Sequence, residues 1–244
     1  MSRPAGKRRE EHLLLASPGR DIAVTAITVV LTAAVFAAVA SQGALAHIQH
    51  LDNAWLRLMR THRSGPVTAL ADFLNYLGLV GITLPVRIVI AGYLALRRRW
   101  WHLAAFVTAI VMSEALIGTL KGIYDRPRPP GSLVATSGAS FPSGHSIAAT
   151  VTVVAAVIAL VPPGRRRVWW GVGAVAFSAL MALSRAYLAA HWLSDAIAGV
   201  LLGTSCALLA ALVVGLFQRR HRGQRPGPSV HGPAPDVTQP ADQR

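Results

Sequence analysis

The sequence predicts an all-α, polytopic membrane protein with six transmembrane helices and both termini in the cytoplasm. Of its 244 residues, 53% are apolar and only 14% are charged, whereas a soluble domain of this length carries about 25% charged residues. The positive charge, a net +14, lies in short runs at the ends of apolar segments. This pattern is typical of membrane topology signals and not of a nucleic-acid-binding surface. We therefore expect a lipid bilayer, and no nucleic acid, as a partner of the chain.

Three regions follow one another along the chain. Residues 1–20 form a basic cytoplasmic tail, residues 21–217 the six-span domain, and residues 218–244 a basic, Pro- and Gly-rich cytoplasmic tail that we expect to be disordered. The predicted spans cover residues 22–40, 73–96, 100–120, 144–161, 168–184 and 192–217, with a loop at 41–72. Gly171 and Gly173 in the fifth span are the expected points of close helix packing.

The first span is expected to remain uncleaved. It has 19 residues without a charge from Ile22 to Ala40, which as a helix of about 28 Å match the hydrocarbon thickness. The triplet Ala38-Val39-Ala40 before Ser41 resembles a signal-peptidase site. The apolar run is nevertheless longer than the roughly 7–15 residues of a usual signal peptide.

The distribution of charge predicts the orientation of the spans. Six spans place both termini on one side, and most of the 24 Lys and Arg residues lie near the termini and in the turns at 97–99 and 165–167. Positive charge accumulates in cytoplasmic loops, so these regions are predicted to be cytoplasmic. The loops at 121–142 and 185–191 then face the extracytoplasmic side.

The single cysteine, Cys206, lies inside the last apolar segment. It allows neither an intramolecular disulfide nor a cysteine-based metal site. We expect it to be a small packing residue in a helix.

The first of three polar clusters joins the third span to the loop that follows. It reads Lys121-Gly-Ile-Tyr-Asp-Arg-Pro-Arg128-Pro129. Lys121 offers a mobile point charge, and Arg128 offers a planar fork that fits phosphate oxygens. Taken alone, both could equally be interfacial cations that face lipid headgroups.

The second cluster, Phe141-Pro-Ser143-Gly144-His145, directly precedes an apolar segment. Pro and Ser are frequent at helix starts, and such a start directs backbone N–H groups and a positive dipole end towards an anion. Gly144 would allow a phosphate to approach the backbone, with His145 placed to protonate a departing alkoxide. The alternative is a capped helix with an interfacial histidine.

The third cluster is Ser184-Arg185, followed by His191 and Asp195 at the start of the sixth span. His191 and Asp195 are four residues apart and would share one helix face. We expect Asp195 to accept a hydrogen bond from Nδ1 of His191, which leaves Nε2 free to attack phosphorus. An Asp in a membrane span is costly and indicates function, although the pair could also only satisfy itself. Arg185 is near enough to hold the same anion.

In this order the clusters resemble the tripartite signature of the type 2 phosphatidic acid phosphatase (PAP2) family, in its bacterial membrane lipid phosphatase branch. Lys-x6-Arg-Pro, Pro-Ser-Gly-His and Ser-Arg-x5-His-x3-Asp match at every motif position. The residues that the resemblance assigns to phosphate binding are Lys121, Arg128, Ser143, Gly144 and Arg185. It further implies that His191 is the nucleophile, that Asp195 orients it, and that His145 is the general acid.

The resemblance also implies hydrolysis through a phosphohistidine, without a metal or other cofactor. The sequence agrees, because Asp125 and Asp195 are the only carboxylates in or between the clusters. The expected enzyme is a phosphoric monoester or diphosphate hydrolase acting on a membrane lipid phosphate. Polyprenyl diphosphate is the first candidate, since an outward-facing site suits recycling of a lipid carrier. Phosphatidate and phosphatidylglycerol phosphate are the other candidates.

Three other functions stay open. A lipid phosphotransferase would use the same intermediate and pass the phosphoryl group to another lipid or to a sugar. Vanadium haloperoxidases share the anion site by resemblance, but they are soluble, and six spans argue against them. A non-catalytic protein that binds anionic lipid is disfavoured, since nucleophile, orienting residue and acid are all present. The sequence indicates no oligomeric state.

Two further charges, Arg87 and Glu114, lie within the second and third predicted spans, where an unpaired charge costs about 3 kcal/mol or more. A short turn joins these spans, so they should pack antiparallel and bring the two side chains to similar depths. We predict an ion pair between them, beneath the phosphate site. The alternative is that Arg87 snorkels or lines a wet cavity alone.

Overall fold

The computed structural model describes residues 12–224 as a bundle of α-helices, with no strand in this part of the chain. The helices are α1 (Pro18–Ala40), α2 (Gln42–Thr61), α3 (Gly65–Leu77), α4 (Val80–Leu96), α5 (Trp100–Tyr124), α6 (Gly144–Leu160), α7 (Arg165–Tyr187) and α8 (Leu193–Gly223). The predicted all-α class is confirmed. The predictions for residues 1–11 and 225–244, which hold much of the two tails, lie outside the described residues.

Several of these helices are suited to a membrane. α1, α5, α7 and α8 are long and apolar enough to cross a bilayer, and α3 with α4 forms a fifth candidate that is bent by 53° at its break. α6 is apolar but has only 17 residues. These helices support a multi-pass membrane protein. The number of six spans and the cytoplasmic termini stay predictions.

The prediction that residues 41–72 form a loop is wrong, because most of this region is helical. It contains all of α2 and more than half of α3. In α2, the side chains of Leu45, Ile48 and Leu56 pack inwards, whereas most other positions are exposed or half-buried. An amphipathic helix of this kind escapes a search for continuous apolar runs, since its polar and apolar residues offset one another.

The predicted second span, residues 73–96, falls on parts of two helices, α3 and α4, which meet at a bend of 53°. α3 begins at Gly65-Pro66, where a proline in the first turn loses no helical hydrogen bond. The break falls at Gly78-Leu79, and Pro85 lies inside α4 instead of ending a helix. The resulting corner between α3 and α4 packs against the start of α6.

The helical bundle extends beyond the predicted bounds of 21 and 217 at both ends. α8 continues to Gly223, so residues 218–223 are helical and not part of a disordered tail. At the other end, Leu14 and Leu15 are buried, and the Leu14 N–H donates to Gln218 Oε1 at 3.0 Å. Leu14 and Leu15 therefore pack onto the end of α8.

α8 is the central helix and packs against α1, α5, α6 and α7. It approaches α6 closely at Gly199 and Gly203. A Cβ at Gly199 would lie 2.8 Å from the carbonyl oxygen of Ser143, the N-cap of α6, and a Cβ at Gly203 would lie 2.9 Å from a carbonyl oxygen within α6. The prediction that Gly171 and Gly173 are close-packing points is wrong, since a Cβ at either would meet nothing within 4 Å. The close α6–α8 contact brings the starts of these two helices together.

The predicted ion pair between Arg87 and Glu114 is confirmed, with Nη1 2.7 Å from Oε1. Arg87 also donates from Nε to Thr152 Oγ1 at 2.9 Å and from Nη2 to the Ala148 carbonyl oxygen at 3.3 Å. The Arg87 side chain is nearly buried, whereas half of the Glu114 side chain is exposed. The pair therefore links α4 and α5 to α6 as well, one helix more than the sequence indicated.

Candidate active site

The three polar clusters lie together where the ends of α5 and α7 meet the starts of α6 and α8. Arg128 Nη1 of the first cluster is 3.3 Å from His191 Nε2 of the third. The Ser143 N–H of the second cluster donates to the Asp195 carbonyl oxygen at 3.1 Å. Within the third cluster, the Arg185 carbonyl oxygen accepts from the His191 N–H at 3.3 Å. Residues that are distant in sequence thus form one site.

Two cations hold the loop between α5 and α6. Lys121 Nζ donates to the Ala139 carbonyl oxygen at 3.0 Å, and Arg128 Nη2 donates to the same oxygen at 3.2 Å. Arg128 also donates from Nε to Gly138 at 2.9 Å and from Nη1 to Ala190 at 2.7 Å, in both cases to the carbonyl oxygen. These acceptors are neutral, so their bonds leave both positive charges uncompensated.

His191 is buried in the turn between α7 and α8, and a hydrogen bond fixes its tautomer. Its Nδ1 is 2.7 Å from the Ser140 carbonyl oxygen, and because a carbonyl only accepts, Nδ1 carries the proton. Nε2 then keeps its lone pair beside Arg128. Burial lowers the pKa of His191 well below its usual value, and nearby cations, Arg185 first, lower it further. The imidazole is therefore neutral at pH 7, as a nucleophile requires.

The predicted hydrogen bond between Asp195 and His191 is not formed, since Oδ2 and Nδ1 are 3.9 Å apart. The buried carboxylate of Asp195 instead accepts from Arg126 Nη1 at 2.5 Å, Ser140 Oγ at 2.5 Å and the Trp192 N–H at 3.0 Å. The spacing argument fails because His191 lies before α8, where helical periodicity does not apply, and Asp195 caps the helix through Trp192. Ser140 instead connects the two residues, because its hydroxyl donates to Asp195 and its carbonyl oxygen accepts from His191 Nδ1.

Arg126 and Asp52 extend this network, although Arg126 is not a fixed position of the first motif and Asp52 lies outside all three motifs. Arg126 Nη2 is 2.8 Å from Asp52 Oδ2, and both side chains are buried. Asp52 also accepts from the Ser194 N–H at 2.9 Å and from Ser194 Oγ at 2.6 Å, which fastens α2 to the first turn of α8. Asp52 lies at helical spacing from Ile48 and Leu56. A carboxylate among the apolar residues of one helix face is the sequence signal that could have indicated Asp52 as a buried member of the network.

Arg185 at the end of α7 shapes the turn that carries His191. Its carbonyl oxygen also accepts from the Ala190 N–H at 3.1 Å, and Ala189 closes the turn with a φ of 52°. Its buried side chain donates from Nη1 to Asn75 Oδ1, while Nε is buried and has no partner within residues 12–224. Arg185 therefore keeps a donor for a further acceptor.

The start of α6 is built as its sequence predicts. Ser143 caps the helix, with Oγ accepting from the Ser146 N–H at 3.4 Å. The first N–H groups of a helix have no acceptor inside it, so the start of α6 at Gly144 and His145 is suited to bind an anion. Nε2 of His145 is buried and has no partner among the residues that the structure describes.

The arrangement combines three cations, a helix start and a neutral imidazole. Lys121, Arg128 and Arg185 form no ion pair with a carboxylate in the described part of the chain. Such a set of donors can bind an anion of the size and geometry of phosphate. Across residues 12–224, no group of three or more His, Cys, Asp or Glu side chains is arranged to hold a metal ion.

Comparisons with known proteins agree with this chemistry. The PAP2 superfamily matches residues 102–219. Phosphatidylglycerophosphatase B of Bacillus subtilis is 30% identical over 156 residues, which are 61% of this chain and 74% of the relative. The crystal structure of a transmembrane PAP2 type phosphatidylglycerolphosphate phosphatase from Bacillus subtilis covers 82% of this chain and 98% of its own, with a TM-score of 0.68 and 24% identity. That of Aquifex aeolicus LpxE covers 66% and 94%, with a TM-score of 0.54 and 21% identity.

The fold, the site and these similarities define an integral membrane phosphatase, a phosphoric monoester hydrolase with several apolar helices. The chain belongs to the PAP2 superfamily, so the resemblance seen in the three motifs is confirmed. The two solved structures are less than 25% identical and support the fold alone.

Proposed function

We propose that this phosphatase hydrolyses a membrane lipid phosphate or diphosphate through a phosphohistidine on His191, without a metal or other cofactor. The observation that carries the proposal is the state of His191. Nδ1 donates to the Ser140 carbonyl oxygen, so Nε2 is unprotonated, and its lone pair lies 3.3 Å from Arg128 Nη1. A neutral imidazole beside an uncompensated cation is suited to attack phosphorus.

The reaction has two steps. In the first, Nε2 of His191 forms a bond to phosphorus, and the bond from phosphorus to the leaving oxygen breaks while His145 donates a proton to that oxygen. In the second, His145 accepts a proton from water, the water oxygen bonds to phosphorus, and the N–P bond breaks to release inorganic phosphate. The residues proposed to bind the phosphate oxygens are Lys121, Arg128, Ser143, Gly144 and Arg185. Asp195 orients His191 through Ser140.

The substrate is proposed as a class of lipid. Large apolar side chains are exposed along the helices, as expected for a protein whose substrate arrives from the bilayer. An outward-facing site favours polyprenyl diphosphate, whereas the name of the Bacillus subtilis relative favours phosphatidylglycerol phosphate. Phosphatidate is the third candidate. Phosphate release from these three lipids, with and without candidate acceptors, would rank them and separate hydrolysis from phosphotransfer.

We further propose six spans, with the active site on the extracytoplasmic side, and a phosphatase domain that comprises residues 21–217 and the packed flanks at Leu14 and at the end of α8. α6, about 26 Å long, would complete the count, with α3 and α4 as one broken span. In a Cys206→Ala background, Ser137→Cys should react with a membrane-impermeant thiol reagent in intact cells, and Gly223→Cys should not. The reverse pattern would overturn this topology.

The chemical step is tested with two histidine variants of the full chain. His191→Ala should abolish turnover and should not accumulate label from a 32P-substrate after an alkaline quench, which preserves phosphohistidine. His145→Ala should slow hydrolysis of an alkyl phosphate by about 10²–10⁴-fold. p-Nitrophenyl phosphate, whose leaving group needs no proton, should rescue His145→Ala only. Equal rescue of both variants, or label retained in His191→Ala, would refute the assigned roles.

A further inference from the structure

The corner between α3 and α4, at residues 75–79, lies against the site although no cluster motif includes it. Two contacts place it there. Asn75 Oδ1 accepts a hydrogen bond from Arg185 Nη1, and Gly78 packs against the ring of His145. The corner therefore touches two side chains to which the proposed function gives different tasks, phosphate binding and proton transfer.

Gly78 leaves room for the imidazole of His145. A Cβ at Gly78 would lie 2.5 Å from Cδ2, 3.2 Å from Cγ and 3.4 Å from Cβ of His145. Carbon atoms prefer a separation of about 3.5–4.0 Å, and an atom within a rigid ring moves only if the whole ring moves. The backbone of Gly78 has a φ of −81°, which any residue adopts. Glycine is therefore required here by the ring of His145 and not by the path of the chain.

The affected edge of the ring is the one that carries Nε2. Cδ2 is bonded to Nε2, which is buried and without a partner within residues 12–224. A side chain at Gly78 would thus shift Nε2 of His145 together with Cδ2. A displacement of about 1 Å is enough to lower the rate of a step that depends on alignment by about 100-fold.

Asn75 restrains the second side chain. Nη1 of Arg185 is committed to Asn75 Oδ1, while Nε stays buried and unpartnered in the described part of the chain. Because a guanidinium is planar, fixing one of its nitrogens sets the directions of the others. The amide oxygen is neutral, so Asn75 orients Arg185 without compensating its charge.

We propose that the α3–α4 corner is a fourth part of the active site, in which Gly78 positions His145 for proton transfer and Asn75 positions Arg185 for phosphate binding. This inference rests on the proposed function, since it takes His145 as the acid and Arg185 as a phosphate ligand. Both corner residues are positioning residues that act through these partners.

The test of Gly78 uses a matched control on α4. Gly78→Ala is compared with Gly81→Ala, where a new Cβ would meet nothing within 4 Å. Gly78→Ala should lower kcat about tenfold or more for an alkyl phosphate and less than about threefold for p-nitrophenyl phosphate, whose leaving group needs no proton. Gly81→Ala should keep both activities. In a His145→Ala background, Gly78→Ala should have no further effect, because the acid that it displaces is absent.

The outcomes separate this inference from the proposed function. Equal losses of Gly78→Ala on both substrates, or a loss that multiplies with that of His145→Ala, would overturn the role of Gly78. If His145→Ala alone shows no dependence on the leaving group, the acid assignment itself fails.

Asn75 provides a second measurement, which tests the role of the corner even if Gly78→Ala does not fold. Asn75→Ala should raise KM and weaken inhibition by vanadate about threefold to tenfold, as part of a hydrogen bond to a charged group is lost, with a smaller change in kcat. Unchanged KM and unchanged vanadate affinity in a folded Asn75→Ala protein would overturn the role of the corner in phosphate binding.

Discussion

Replacing Arg126 should strongly destabilise the protein, because one guanidinium serves two buried carboxylates. Nη1 is 2.5 Å from Asp195 Oδ1, and Nη2 is 2.8 Å from Asp52 Oδ2. The side chains of Arg126, Asp195 and Asp52 are 5%, 0% and 2% exposed, respectively. Arg126→Met keeps much of the side-chain volume but leaves both carboxylates without their counter-ion.

The magnitudes follow from this arrangement. Removing one partner of a buried ion pair costs about 3–5 kcal/mol, and Arg126→Met breaks two pairs, so its cost should reach at least the upper end. Asp52→Asn should cost about 1–2 kcal/mol, because Arg126 keeps Asp195 and the new amide oxygen still accepts from Ser194. The double variant that combines Arg126→Met with Asp52→Asn lacks the Asp52 charge, so only the Asp195 carboxylate is left without a counter-ion. It should therefore be more stable than Arg126→Met by about 1–3 kcal/mol.

Thermal unfolding of the purified variants in detergent measures these differences. We expect Tm to be highest for the wild type and to fall in the order Asp52→Asn, the double variant and Arg126→Met. Arg60→Met is the control, because Arg60 is exposed and donates to a neutral acceptor, the Pro130 carbonyl oxygen. This substitution should change the free energy of unfolding by less than about 0.5 kcal/mol. The reasoning is refuted if the losses of Arg126→Met and Asp52→Asn are strictly additive, or if Asp52→Asn is as damaging as Arg126→Met.

Three further predictions follow from the site and the fold. Since burial lowers the pKa of His191 well below 6.5, this proposed nucleophile should stay neutral at that pH. The acid limb of kcat/KM, corrected for ionisation of the substrate, should therefore lie below pH 6.5, and a limb at or above that value would contradict the proposal. Activity should survive EDTA and be inhibited by vanadate, because cations take the place of a metal; loss in EDTA that magnesium restores would refute this. Arg87→Met and Glu114→Gln should each lower Tm, and the double variant should lose less than their sum; strict additivity would mean that the pair contributes nothing.

The fold class was predictable because a helix in lipid must be apolar on nearly all sides. The segments at 144–161 and 168–184, for example, differ from α6 and α7 by only a few residues at each end. The α3–α4 break was not predictable in the same way, since Pro85 is the stronger helix-breaking signal and yet lies inside α4. Packing of the Gly78 corner against His145 is a tertiary contact that no local pattern encodes.

The sequence motifs name residues that lie together in the structure, but they do not indicate the hydrogen bonds among them. The motif includes His191 and Asp195, but its spacing does not show where α8 begins. Because His191 lies before the helix and Asp195 lies inside it, the two side chains do not share a helix face. Ser140 links the two residues because its hydroxyl and its carbonyl bind different partners.

Gly199, at the α6–α8 contact, could not be predicted either, since a glycine that permits close packing looks no different in sequence from one that faces open space.

Four cations surround the site, and what each one binds separates them into two groups. Arg126 binds the carboxylates, whereas Lys121, Arg128 and Arg185 donate to neutral groups. An opposite charge at about 4 Å attracts a cation by about 4 kcal/mol at an intermediate dielectric, so an unpaired Asp195 would compete with phosphate for these three. By binding Asp195, Arg126 leaves their charge available to an incoming anion. The ion pair that stabilises the start of α8 should therefore also maintain the positive potential of the proposed phosphate site.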